Sequence, residues 1–201
     1  MTAKGVGQRV RLSPDKRRAQ IVRVALDAFR ESGFAQTSIR DLADALDMSI
    51  AGMYHYFPSK DDLLFTILTE GLDRLLCEME SARERASSPE ERLRSMLTVW
   101  IEIIVQDRAL VRVLVDNADK LEPERRATLR AKMREGADMV TGEIRQIAAE
   151  GRLKDLNPNV MSYSLHGMAN WVNYWYDPDG EVDIHSLANQ ITDIFLHGVL
   201  K

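Results

Sequence analysis

The chain has 201 residues, 45% of them hydrophobic and 29% charged, which is enough to close a core in one medium domain or two small ones and excludes a disordered or fibrous chain. No apolar run approaches the ~18 residues of a membrane span, and the single cysteine, Cys77, permits neither an internal disulfide nor a thiolate zinc cluster, so no membrane association is expected and a reducing, cytoplasmic location is. The net charge of −4 is unevenly placed: residues 1–60 hold ten Lys/Arg against six Asp/Glu, or +4, and the remaining 17 basic and 25 acidic residues give −8, so the first part suits a polyanion and the second does not.

Helical periodicity runs almost throughout, with no sustained alternation, and an all-α fold is expected. Ser13-Pro14 supplies a cap and a first-turn proline for a helix with Val22, Ala25, Leu26 and Phe29 as its stripe, stopped by Gly33. After Thr37 and Ser38, Ile39, Leu42, Ala43 and Leu46 mark a short second helix. Asp47 and Met48 turn the chain into a third, from Ser49 to about Tyr56, ended by Pro58. Ser59 caps a long fourth helix to about Arg85, with Leu64, Ile67, Leu68, Leu72, Leu75 and Met79 on one face. Ser88-Pro89-Glu90-Glu91 combines cap, proline and capping-box acid before a buried helix through Leu93, Met96, Leu97, Trp100, Ile101 and Ile104. A shorter helix spans Arg108 to about Asn117. Pro123 then starts a long one with Leu129, Met133, Ala137, Val140, Ile144 and Ile147, closed by Gly151. Asn157-Pro158 restarts the chain into a helix with two lines, Met161, Leu165, Met168, Val172, Trp175 and Tyr163, Gly167, Trp171, Tyr174, which predict cover on two sides. Asp177-Pro178-Asp179-Gly180 is a tight turn before a last helix, Ile184 to Leu200.

Three short helices inside the basic sixty residues form a helix-turn-helix candidate from Ser38 to Phe57. Tyr54, Phe57 and Lys60 make a Tyr-x-x-Phe-x-x-Lys pattern, with Gly33-Phe34, Thr37, Ile39, Leu42 and Ala43 upstream. Over residues 16 to 68 the chain resembles the TetR family of bacterial transcriptional repressors. The resemblance implies a DNA-binding domain over 1–60, a ligand-binding and dimerisation domain over 61–201, palindromic double-stranded operator DNA as partner, and homodimers. Carried over by position, Thr37, Tyr54, His55 and Lys60 are expected at phosphates, and Ser49, Ile50, Ala51 and Gly52 on the groove side of the recognition helix, with Phe57 in the core. Ile50 and Gly52 leave that helix few hydrogen-bonding side chains, so specificity is expected from methyl contacts of Ile50 and Ala51 to thymine, from Arg40, and from a basic arm, Arg9 to Arg18.

In such families the second domain encloses a small molecule. Leu68, Trp100, Ile104, Met133, Asn170, Trp171 and Tyr174 combine apolar surface with polar tips suited to an extended apolar ligand, though core packing accounts equally well for any one of them. Trp175, Ile191, Ile194 and Phe195 are the candidates for the dimer face. The stretches Gly151-Arg152-Leu153 to Asn157-Pro158, Gly167 to Trp171 and Trp175 to Gly180 are similar to TetR-type regulators of fatty-acid and steroid breakdown, which implies an acyl-CoA effector. Its phosphates would need cations, for which Arg108, Arg112, Arg125, Arg126, Arg130 and Arg134 are available unless Glu122, Glu124 and Glu135 neutralise them.

Catalysis has no motif to rest on. His55, His166, His185 and His197 lack metal-ligand spacing, there is no nucleophile elbow or phosphate loop, and Glu143, Glu150 and Asp155 read as surface charges. Neither an enzyme nor a cofactor is expected. The alternative to a regulator is a helical binding protein or small hydrolase for an apolar ligand, without DNA affinity.

Overall fold

The computed structural model describes residues 12–200, which form nine α-helices and one 3-10 turn. The chain divides into two compact units, one up to Leu64 and one from Phe65 onward. No described helix is long and apolar enough to cross a membrane.

In the first unit α1 (Pro14–Ser32) starts where Ser13 Oγ accepts the Lys16 amide and Pro14 fills the first turn, and it ends where Gly33 takes φ 84°, a left-handed conformation that favours glycine. Its buried stripe is Ile21, Ala25 and Phe29; Val22 and Leu26, expected inward, are only half-buried, because the core lies under the i, i+4, i+8 line one residue earlier. A reciprocal capping box opens α2 (Ile39–Ala45), Ser38 Oγ accepting from the Asp41 amide while Asp41 accepts from the Ser38 amide. Those bonds to Ser38 hold the exposed Asp41 carboxyl below the usual carboxylate range. Asp47, at φ 51°, makes the turn into α3 (Ile50–Tyr56), capped by Ser49. Leu42, Ala43, Met53, Phe57 and Leu63 fill the core with the α1 stripe.

The helix α4 (Lys60–Glu84) runs from this unit into the next. The second unit continues with α5 (Pro89–Gln106), α6 (Arg108–Asn117), a 3-10 turn (Ala118–Lys120), α7 (Pro123–Ala149), α8 (Pro158–Trp175) and α9 (Ile184–Val199). α5 is its axis, flanked by α7, α8 and α9 around a core that includes Leu93, Leu97, Ile101, Val140, Ile144, Leu165, Val172, Leu187 and Phe195. An isolated bridge, Leu153 to Leu200, ties the segment after α7 to the end of α9, where the Lys154 amide donates to the Val199 carbonyl at 2.8 Å.

Glu143 is not the surface charge expected of it. It is 3% exposed in α7, accepts from Arg92 Nε at 2.8 Å, and lies 3.4 Å from Arg83, so one carboxylate joins α4, α5 and α7. Arg83 is held further toward its charged form, first by its hydrogen bond to Glu80 and then by Glu143. Both arginines reach solvent and Glu143 does not, so removing the carboxylate leaves the cations hydratable but opens three packed helices at once. Glu143→Ala is expected to cost about 2–4 kcal/mol in denaturant unfolding, and a loss below about 1 kcal/mol would show the cluster contributes little.

Candidate nucleic-acid interface and effector cavity

Within the first unit, Met53 and Phe57 bury one side of α3. The opposite side carries Ile50, Ala51, Tyr54 and His55, all exposed, Ile50 at 38% and Tyr54 at 48%. Exposed apolar side chains on a short helix that has already met its own core suit a second surface, and methyl and hydroxyl groups suit a DNA groove and its phosphates. Ser49 caps α3 by accepting from the Gly52 amide at 3.0 Å and keeps its hydroxyl proton for a partner. A Cβ at residue 52 would stand 3.1 Å from that Ser49 oxygen, so glycine keeps the cap unobstructed. Arg40 is exposed on α2.

Two expected phosphate ligands are turned inward. Thr37 is 4% exposed and its hydroxyl donates to the Gly33 carbonyl at 2.9 Å, closing the turn after α1. Lys60 directs its ammonium to the carbonyls of Phe34 at 2.7 Å and Thr37 at 2.8 Å, with Ala35 at 3.5 Å, and lies 4.4 Å from the centre of the Phe34 ring. Side chains able to bond a phosphate have here found backbone acceptors first. Of the expected basic arm, Arg9 and Arg11 lie outside the described residues. Arg17 and Arg18 belong to α1, Arg17 donating to Gln20 and Arg18 lying over the Phe57 ring.

Within the second unit α4 to α8 enclose a cavity of about 480 Å³. Its wall is apolar: Leu68, Leu72 and Met79 from α4, Trp100 and Ile104 from α5, Leu110 and Val111 from α6, Leu129 from α7. Gly71 permits the approach of α6 to α4, since a Cβ there would overlap Leu110. The uncharged polar part of the wall is one line of α8, His166, Asn170 and Tyr174, at the i, i+4, i+8 spacing of a single helix face. Asn170 Oδ1 accepts from the Trp100 indole at 3.2 Å, which leaves its amide protons available. His166, absent from the expected ligand set, packs edge-on against Trp100 at 4.4 Å, and its Nδ1 bonds the Ser162 carbonyl at 2.7 Å. Burial pushes its imidazole down, so it is neutral at pH 7 with Nδ1 as donor, and Nε2 is a buried acceptor without a partner among the described residues.

Arg126, Arg130 and Lys132 of α7 line the same cavity. Arg126 donates to the Asp119 carbonyl and Arg130 pairs with the Asp119 carboxylate at 3.0 Å, so the partner is the 3-10 turn and not Glu122 or Glu124. Arg108 is engaged with the Tyr176 carbonyl. Met133, at 39% exposure, belongs to the cavity lining rather than to a buried stripe.

Trp171 is not in the cavity. One residue along α8 from Asn170 is a turn of about 100°, and Trp171 is 62% exposed beside Tyr174, their rings 4.9 Å apart. Tyr163, Gly167 and Trp171 of the second line of α8 are therefore open in the single chain, while Tyr174, also exposed, borders the cavity. Ile191 and Phe195 also differ from expectation: they share the inward stripe of α9 with Leu187 and Ala188 and are 7% and 5% exposed, while Ile194 and Trp175 are 65% and 54% exposed.

A helix-turn-helix unit joined to a helical, cavity-bearing unit is the plan of a transcriptional regulator. Residues 86–199 match the family described as "Tetracyclin repressor-like, C-terminal domain", and residues 21–67 match "Bacterial regulatory proteins, tetR family". The chain belongs to the TetR family. It is similar to the transcriptional repressor KstR2 of Mycobacterium tuberculosis strain H37Rv, 26% identical over 190 residues that cover 93% of this chain and 94% of KstR2. The structure of the ketosteroid regulator KstR2 of that species superposes with a TM-score of 0.82 at 26% identity, covering 96% of this chain and all of that one. The structure of AibR in complex with isovaleryl coenzyme A and operator DNA superposes with a TM-score of 0.80 at 26% identity, covering 89% of this chain and 97% of that one.

Burial separates the two faces of α9 by experiment. Phe195→Asp places a charge in the core of the single chain and is expected to cost more than about 3 kcal/mol and lose helical signal, whereas Ile194→Asp is expected to keep wild-type circular dichroism and to act only where a second copy covers it. Equal loss of helical signal in both variants would show that Ile194 supports the core of the single chain.

Proposed function

We propose that the protein is a homodimeric repressor that binds palindromic operator DNA and leaves it when an acyl-CoA thioester of lipid or steroid breakdown enters the cavity. The cavity carries this reading. About 480 Å³ of mostly apolar space suits an acyl body, and Arg126 and Arg130 at its lining are the cations a thioester's phosphates would need. The AibR structure, which holds isovaleryl coenzyme A and operator DNA together, supports that effector class.

The homodimer reading is supported by Tyr163, Trp171, Tyr174 and Trp175 on α8 and Ile194 on α9, more exposed aromatic and aliphatic surface than a single chain ordinarily leaves in water. Gly167 and Gly198 have open space where a Cβ would be, which lets a second copy approach closely. Arg40, Ser49, Ile50, Ala51, Gly52, Tyr54 and His55 are the proposed DNA-facing set. Arg40→Ala should alter which operator variants are tolerated, at about 1–3 kcal/mol if it reads a guanine, while Tyr54→Phe should weaken all DNA alike. Equal loss on specific and random DNA in Arg40→Ala would reduce that residue to a phosphate clamp.

Release is proposed to work through α4, which begins at Lys60 and supplies Leu68, Leu72, Leu75 and Met79 to the cavity. A hundredfold loss of operator affinity needs about 2.8 kcal/mol of preference for the released state, which burial of one or two apolar groups supplies. In a gel shift on the DNA upstream of its own gene, acyl-CoAs with bulky or long acyl groups should dissociate the complex and free CoA should do so poorly. Val111→Trp, which fills the cavity from α6, should keep operator affinity and raise the effector concentration needed. A complex that survives a millimolar panel of fatty and alicyclic acyl-CoAs rules out the thioester and leaves an unesterified apolar effector.

A further inference from the structure

We infer that two carboxylates of the protein, Asp119 and Asp73, hold in the effector-free chain the cations that the effector's phosphates take, so that effector entry exchanges carboxylate for phosphate and loosens α4 from α7. The inference rests on the acyl-CoA reading above and names what that effector displaces.

Among the described residues, the cavity lining holds three cations, Arg126, Arg130 and Lys132, all on α7. Each already has an oxygen partner. Arg126 donates to the Asp119 carbonyl at 3.1 Å, Arg130 pairs with the Asp119 carboxylate at 3.0 Å, and Lys132 pairs with Asp73 of α4. At 100° per residue Arg130 and Lys132 leave α7 about 200° apart and at nearly the same level. They flank the face that carries Leu129 and Met133 into the cavity. Val115 and Met133 are lining residues that are also exposed, so the cavity opens to water beside these cations.

Coenzyme A carries phosphate in two places, a diphosphate and a 3′-phosphate on the ribose, which suits cations placed on two flanks. A phosphate monoester has a charge of about −1.5 to −2 at pH 7 and three acceptor oxygens, against the single charge and two oxygens of a carboxylate. The pairs to be replaced are weak. Asp119 and Arg130 are 81% and 58% exposed and Asp73 is 56% exposed, and an exposed pair shifts an equilibrium by only about two- to fivefold. A stronger anion, held in place by its acyl group in the apolar cavity, therefore wins the cations. The exchange at Lys132 has a consequence that the one at Arg130 lacks. Lys132 and Asp73 tie α7 to α4, the helix through which release is proposed to work, whereas Asp119 ties α7 only to the 3-10 turn beside it.

Octanoyl-CoA and S-octanoyl-N-acetylcysteamine present one acyl thioester with and without phosphates, and Trp100 in the lining reports their binding by fluorescence. Asp119→Asn and Asp73→Asn should each tighten octanoyl-CoA about threefold and leave the N-acetylcysteamine thioester at wild-type affinity. Glu124→Gln, an equal loss of charge on α7 outside the lining, should change neither. In a gel shift on the DNA upstream of its own gene, Asp73→Asn should also weaken the effector-free complex about threefold, and Asp119→Asn should not. Wild-type octanoyl-CoA affinity in both aspartate variants would overturn the exchange, and so would equal tightening in Glu124→Gln or equal tightening of both thioesters. Unchanged operator affinity in Asp73→Asn would overturn the loosening of α4. A wild-type protein that binds neither thioester, or both equally well, would remove the acyl-CoA reading itself, a failure seen without any substitution.

Discussion

A cavity of about 480 Å³ lined by leucine, isoleucine and methionine gives up dispersion contacts on every wall, and the larger unit depends on holding those walls apart. Two features oppose collapse. Through Leu93, Leu97 and Ile101, α5 shares one buried core with α7, α8 and α9, which restrains its movement. At the end of α4 remote from its start, Glu143 clamps α4, α5 and α7 through Arg83 and Arg92. A buried carboxylate shared by two arginines is costly to break and fixes where the three helices stand. The looser wall is α6, which has no side-chain cap and leans on α4 where Gly71 makes room for Leu110.

The same economy of contacts shapes the first unit. Its core is small, and polar side chains complete it: Thr37 closes the turn after α1, Ser38 and Asp41 start α2, and Lys60 holds the loop between them. What remains outward on α3 is Ile50, Ala51, Tyr54 and His55, a surface with apolar groups and few charges. Proposed base readout from that helix is consequently by methyl contact and shape, with Arg40 as the charged reader.

Helix positions were legible in the sequence because their ends carry local chemistry. Ser13-Pro14, Ser38 with Asp41, Ser88 with Glu91 and Asn157-Pro158 each act within four residues, and all four begin helices in the structure. Which face a helix turns inward was less legible. Ile194 and Phe195 are equally apolar neighbours, and only the placement of α5 and α8 decides that Phe195 is core and Ile194 is not. Trp171 and Asn170 were separated by the same rotation of one residue. Charged and hydroxyl groups were least legible, since a sequence does not show that Glu143 will meet two arginines from other helices or that Lys60 will find carbonyls 23 to 26 residues away. His166 had a signal that went unused: it stands four residues before Asn170, on the same helical line.

The proposed function requires that effector and operator compete through one conformational equilibrium, and linkage makes the requirement quantitative. Calorimetric titration of an acyl-CoA into the protein, alone and saturated with DNA from upstream of its gene, measures it directly. The effector should bind the DNA complex more weakly than the free protein, by the same factor by which it weakens DNA binding. Equal effector affinity with and without bound DNA would contradict ligand-released repression.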